Sequence, residues 1–135
     1  MSRTIEQRIE FDGVKSEELF EMYVDARKHT RAIGAPVTIS REIGGTFAAF
    51  GERMVRGKNL LIKPSTRVVQ TWRAQVWKDS DPDSVLVLTF MPTPRGAAIE
   101  LVQTGIPDGV YDTINDGWNE MYWKPWKEYL RGASR

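Results

Sequence analysis

The sequence predicts an α+β fold in which a curved antiparallel sheet wraps around a long C-terminal helix, with two short helices after the first strand. Three observations carry this. From Val37 to Thr104, apolar and β-branched residues come in short runs broken by Gly-, Pro- and Asp-containing turns, the pattern of consecutive strands. From Val110 to Tyr129, apolar residues recur at steps of three and four, the helical period. Between the opening strand and the meander lie two short segments with helix start and stop signals.

In chain order, Ile5, Ile9 and Phe11 occupy alternate positions among polar residues, which predicts a half-buried opening strand ended by Asp12-Gly13. Ser16 stands at the expected N-cap of a helix with Glu17 and Glu18 in its first turn, and Leu19, Phe20 and Tyr23 form its inward stripe. Asp25 is placed to cap a second helix running through Ala32, closed by Gly34 and Pro36. Val37–Arg41 and Thr46–Phe50 then read as strands around the Gly44-Gly45 turn, with Gly51 starting another reversal. Met54–Ile62 is a strand in which Gly57 predicts a bulge or bend. Arg67–Trp77, Val85–Met91 and Ala97–Thr104 complete a largely antiparallel meander.

In the last segment Val110, Ile114, Trp118, Met121, Tyr122, Pro125 and Tyr129 share one broad face, widened by Trp126 and Leu130. Asp116, Glu120, Lys124, Lys127 and Arg131 oppose them. Pro107 sits near the start, where proline is tolerated. Pro125 lies deep inside and predicts a kink, because its ring displaces the carbonyl four residues back. Laying such a helix across a curved sheet makes the helix-grip architecture.

At 135 residues the chain fits a single domain spanning 1–135. Its 19 basic and 18 acidic residues nearly cancel, leaving a net charge of +1. That balance, without a basic run, argues against nucleic-acid binding. No stretch approaches the roughly 20 apolar residues of a membrane span, and the N-terminus has no signal-peptide core, so membrane insertion is not expected and a cytoplasmic setting is. The absence of cysteine excludes disulfides, thiolate nucleophiles and Cys-based metal sites.

Several segments together resemble a known family. They are Asp25-Ala26-Arg27-Lys28-His29, Gly34-Ala35-Pro36, Ile43-Gly44-Gly45-Thr46-Phe47, Val69-Gln70-Thr71-Trp72-Arg73, Gly105-Ile106-Pro107, Gly117-Trp118 and Tyr122-Trp123. The series is similar to the domain at the C-terminus of the activator of the heat-shock protein 90 ATPase, within the START-related helix-grip (SRPBCC) superfamily. The resemblance implies a cavity between long helix and sheet, used across the superfamily for lipids, sterols, polyketides and other apolar molecules. It also implies a stress-response setting, and it brings no fixed catalytic motif.

The expected ligand-binding set is therefore apolar and aromatic: Phe20, Tyr23, Phe47, Phe50, Trp72, Phe90, Trp118, Met121 and Tyr122. His29, the one histidine, is expected at the mouth of the trough in a hydrogen-bonding role. Trp77 shares this aromatic set, and each member also serves as core. A lone histidine cannot complete a His-rich metal site, and Asp79, Asp81 and Asp83 lack the glycine and distal glutamate of a calcium loop. No metal or cofactor is expected. No Gly-x-Ser-x-Gly elbow or phosphate loop occurs, so no catalytic residue is assigned. Glu42, Arg73 and Glu100 are expected at the surface. Trp123 falls at the border of the helix's polar side. It packs on a neighbouring loop or stands as an exposed anchor for a chaperone or a second copy. Three functions follow in order: binding of a small apolar ligand, a chaperone-activator-like interaction, and cofactor-free cyclase or hydrolase chemistry in the same cavity.

Overall fold

The computed structural model describes residues 2–50 and 54–133; Gly51 and its expected reversal lie outside them. Strand β1 (Ser2–Asp12) leads into helices α1 (Ser16–Val24) and α2 (Ala26–Ile33), followed by β2 (Val37–Ile39), β3 (Thr46–Ala49), β4 (Val55–Lys63), β5 (Arg67–Ala74), β6 (Ser84–Thr93) and β7 (Gly96–Pro107). A 3₁₀ turn (Asp108–Val110) opens the long C-terminal helix. It continues as α3 (Tyr111–Trp118), a π turn (Asn119–Trp123) and α4 (Lys124–Ala133). The strands make one antiparallel sheet in the order β1-β7-β6-β5-β4-β3-β2. This is the helix-grip α+β fold.

Alternation sets the two faces of the sheet. Ile5, Ile9 and Phe11 on β1, Leu86, Leu88 and Phe90 on β6, and Ile99 and Leu101 on β7 are buried beneath the helices. Ile9 pairs with Ile99, and Ile99 with Phe90, so the first strand closes against the last. Phe20 of α1 meets Phe90 edge-on, with centroids 5.7 Å apart. Asp25 caps α2 by accepting the Lys28 N–H at 3.0 Å, and Gly34 ends it at φ 71°, the left-handed conformation glycine adopts freely.

Four local expectations need correction. Lys15, not Ser16, occupies the N-cap of α1, and Ser16 begins the helix. Strand β2 stops at Ile39, because the chain turns where Asn59 takes the Ser40 and Glu42 carbonyls. Strand β5 ends at Ala74, where the Trp77 N–H bonds the Ala74 carbonyl and turns the chain. The irregularity in β4 lies between Asn59 and Leu61, not at Gly57. Glycine is needed at 57 because a Cβ there would overlap the Thr71 carbonyl oxygen of the neighbouring strand.

Pro125 acts through the turn before it. Lacking an N–H and crowding the carbonyl of Met121, it is preceded by a π turn in which the Lys124 N–H reaches back five residues to Asn119. The inserted residue turns the next side chains inward, so Trp118, Tyr122, Trp123 and Trp126 are all buried. Positions five apart on an α-helix point about 140° from each other, yet Trp118 and Trp123 stack at 5.6 Å with planes 16° apart. Trp123 is therefore not an exposed anchor: it is 2% exposed and donates to the Gln7 side-chain oxygen at 2.8 Å.

Gly57→Ala should destabilise the protein by about 1–3 kcal/mol, the cost of forcing β4 from β5. A urea melt checks this, and an unchanged midpoint would remove the close approach as the reason for glycine.

Candidate functional site

The concave side of the sheet holds two neighbouring features, a buried polar chain and an apolar cavity. The chain begins on β4. Asn59 donates through Nδ2 to the carbonyls of Ser40 at 2.7 Å and Glu42 at 3.0 Å, holding the β2–β3 loop. Its Oδ1 accepts from Gln70 Nε2 at 2.8 Å, and Gln70 Oε1 accepts from the Tyr23 hydroxyl at 2.7 Å. The Tyr23 backbone carbonyl in turn meets His29 Nδ1 at 2.7 Å, and His29 Nε2 meets the Tyr122 hydroxyl at 2.8 Å.

A carbonyl oxygen can only accept, so Nδ1 carries the proton; in a neutral ring Nε2 must then accept, and Tyr122 donates. Burial pushes the imidazole pKa down to about 4, outweighing the opposing effect of the Tyr23 carbonyl. Burial likewise drives the Tyr122 phenol upward, and that of Tyr23, with the proximity of Tyr122 adding to the latter. Desolvation thus penalises both products of a proton transfer from Tyr122 to His29, an imidazolium and a phenolate. The pair holds the helix in place with its proton on the phenol.

The cavity has a volume of about 340 Å³. Trp72, Ala74 and Val55 supply the sheet side, and Ile114, Gly117, Trp118 and Tyr122 the helix side. Trp118 is oriented by its indole N–H, which donates to Gln103 Oε1 at 2.8 Å. Gln103 donates to Ser84 Oγ at 3.0 Å, and Ser84 to the Trp72 carbonyl at 2.6 Å. Phe50 edges the cavity with φ at 60°, an uncommon backbone region for an aromatic residue. At the rim Met54, Val76 and Met121 are 51%, 78% and 47% exposed.

Of the residues expected to bind ligand, Phe50, Trp72, Trp118, Met121 and Tyr122 come together around this cavity. Met121 stands at its rim rather than on the inward face. Tyr23, His29 and Phe47 form a packed layer behind Tyr122, with His29 and Phe47 stacked at 6.2 Å. His29 is fully buried, not at a mouth, because α2 tucks beneath the long helix. Phe20 and Phe90 pair with each other in the core. Glu42 and Glu100 are exposed, while Arg73 is half-buried against Asp83 at 2.7 Å and the Asp81 and Lys78 carbonyls. Gln70, Asn59, Gln103 and Gln7 were not singled out by sequence. The available signal was a polar side chain at an inward strand position, as in Val68-x-Gln70-x-Trp72. Among the described residues no cluster of three or more His, Asp or Glu could hold a metal, and no helix is long and apolar enough to cross a membrane.

The histidine gives a pH dependence. Unfolded, its ring titrates near the ordinary 6.5, and folded at about 4. Its contribution to stability is complete above pH 6.5. As pH falls from there toward 4 the unfolded chain gains a proton that the native chain refuses, so stability drops by about 1.4 kcal/mol per pH unit. His29→Gln should be less stable at neutral pH and should lack this extra slope, which urea melts between pH 4 and 7 measure. An equal slope in both proteins would assign it to other groups.

The fold finds its counterpart in known proteins. The family model described as Activator of Hsp90 ATPase homolog 1-like protein matches residues 14–131. An activator of 90 kDa heat shock protein ATPase homolog from Dictyostelium discoideum is 27% identical over 101 residues, which are 75% of this chain and 26% of that protein. An uncharacterised protein of Schizosaccharomyces pombe is 24% identical over 123 residues, 91% of this chain and 36% of its own length. The chain thus spans about a quarter to a third of these curated relatives. The crystal structure of an HSP90 activator from Plasmodium falciparum superposes with a TM-score of 0.81 at 23% identity, covering 96% of each chain, and shares the fold. With a family match over most of its length, the chain belongs to the Activator of Hsp90 ATPase homolog 1-like family.

Proposed function

We propose that this chain binds a small apolar molecule in the cavity between the long helix and strands β4 and β5. The observation that carries the reading is the cavity itself. At about 340 Å³ it lies at the small end of the usual range for ligand sites, roughly 300–1,000 Å³, and its walls are the side chains of Trp72, Trp118, Ile114 and Val55. Affinity would come from apolar area, at about 25 cal/mol per Å² removed from water.

Gly117 supports the same reading. It lies in a helix, where glycine costs about 1 kcal/mol relative to alanine. A Cβ there would meet nothing within 4 Å, so packing does not demand glycine. Its place in the lining supplies a reason, because a side chain would project into the space a ligand would use.

A second reading, interaction with a heat-shock protein 90 chaperone, is favoured by the family and by the names of the Dictyostelium and Plasmodium relatives. It would use the exposed rim of Met54, Val76 and Met121. Acid–base chemistry through His29 and Tyr122 is disfavoured by the burial that opposes charge on both.

Titration with 8-anilinonaphthalene-1-sulfonate, followed by native mass spectrometry of the purified protein, tests the leading reading. Gly117→Leu should weaken probe binding at least tenfold while the melting temperature holds or rises, since leucine is the better helix former. Undiminished binding by this variant would place the probe elsewhere. Stimulation of a chaperone ATPase that survives Gly117→Leu but fails in Val76→Asp would favour the second reading.

A further inference from the structure

The outer face of the sheet, opposite the helices, is sorted by charge around an apolar centre. Leu61 on β4 pairs with Val69 on β5, Val69 with Val87 on β6, and Val87 with Val102 on β7. Four aliphatic side chains thus lie in one row across four adjacent strands, on the side no helix covers. The row's ends, Leu61 and Val102, are 39% and 37% exposed. On the β4–β5 side the outward residues include Arg56, Lys58, Lys63 and Arg67, none of which forms an ion pair among the described residues. On the β7–β1 side they include Glu100, Glu6 and Glu10 with one arginine, Arg8, which pairs with Glu100 at 3.1 Å. β-Propensity explains a valine or threonine at any one outward position. It explains neither the unbroken row nor the separation of charge to either side.

We propose that this face associates with a second copy of the chain, sheet against sheet, about a two-fold axis parallel to the strands and centred on β6. Such an axis exchanges left and right across the interface while keeping height along the strands. The aliphatic row of one copy then lies on that of the other. Arg67, Thr89 and Glu100 share a single row on β5, β6 and β7, so Arg67 faces the partner's Glu100, and the reverse contact repeats it. A two-fold axis across the strands would instead set cations against cations, so the charge pattern selects one arrangement. Aligned sheet packing at about 10 Å, with strands within roughly 30°, accommodates it. The footprint is small: a flat patch of five strands about 4.8 Å apart and six residues of each gives about 400 Å² per copy, half that of a standard interface, and the convexity of this outer face makes that an upper bound. The dimer is therefore weak, dependent on concentration and sensitive to salt.

Sedimentation velocity of the full chain tests this from about 10 µM to about 1 mM, in about 50 mM and about 500 mM NaCl. Dimer should grow with concentration at low salt and fall several-fold at high salt. Val87→Lys places two like charges together at the axis. It should leave a monomer at every concentration, with circular dichroism and melting unchanged because the side chain points outward. Arg67→Glu and Glu100→Arg should each weaken association, and the double variant should recover it. A monomer at the highest concentration overturns the proposal, and so does a dimer that Val87→Lys leaves intact or that the paired reversal fails to restore.

Discussion

The hydrogen bond from Tyr122 to His29 is the constraint on which the arrangement of helices and sheet depends. It ends a chain of buried donors and acceptors that starts at Asn59 on the sheet, crosses Gln70 to Tyr23 on α1, passes through His29 on α2 and reaches the long helix. Each member is almost wholly buried. Losing one partner leaves another group desolvated and unpaired, at about 1–3 kcal/mol. The Ser40 and Glu42 carbonyls fix the Asn59 amide, and through it Gln70 and the Tyr23 hydroxyl, while the Tyr23 carbonyl fixes the imidazole tautomer, so every donation runs the same way. Apolar packing alone would let the helix slide on a concave sheet, whereas this chain gives it one position.

The π turn before Pro125 provides a second level of fixation. It brings Trp118, Tyr122, Trp123 and Trp126 to one side, where a regular helix would turn Trp123 toward water. Two of these indoles are then held by glutamines on the sheet, Trp118 by Gln103 and Trp123 by Gln7. Two glutamines on the strands thus set the rotation of the helix, and the proline that prevents a regular helix makes that rotation possible. The cavity adjoins the first of these anchors, Trp118, and Gly117 leaves the helix surface beside it bare. Its shape follows from how the helix is held further along.

Much of this was legible in the sequence, and the misses share a cause. Strand alternation and the Asp25 and Gly34 caps depend on neighbours a few residues away, so the elements and their order could be read directly. The fate of Trp123 depended on a backbone insertion provoked two residues later, which a uniform 100° projection cannot represent. Gln70 and Gln103 were passed over because their role comes from strand and helix partners distant in sequence. Their inward positions in alternating strands were visible, however. For the expected binding residues, periodicity gives the face and not the depth. Phe90 shares the inward face of the sheet with Trp72, but Phe20 of α1 packs edge-on against Phe90 and leaves Trp72 at the cavity.

The sheet treats its two faces by different rules. On the concave side Asn59, Gln70, Gln103 and His29 are matched, the buried indole N–H groups of Trp72, Trp77 and Trp126 have no partner among the described residues, and the apolar opening near Trp72 is a place where chemistry from outside can enter. The ligand and chaperone readings share a surface. Met54, Val76 and Met121 form both the rim of the cavity and an exposed apolar patch, so a molecule in the cavity would alter the patch presented to a partner. Each would change the affinity of the other by the same factor, as linkage requires. The ligand and interaction readings are therefore coupled hypotheses about one site.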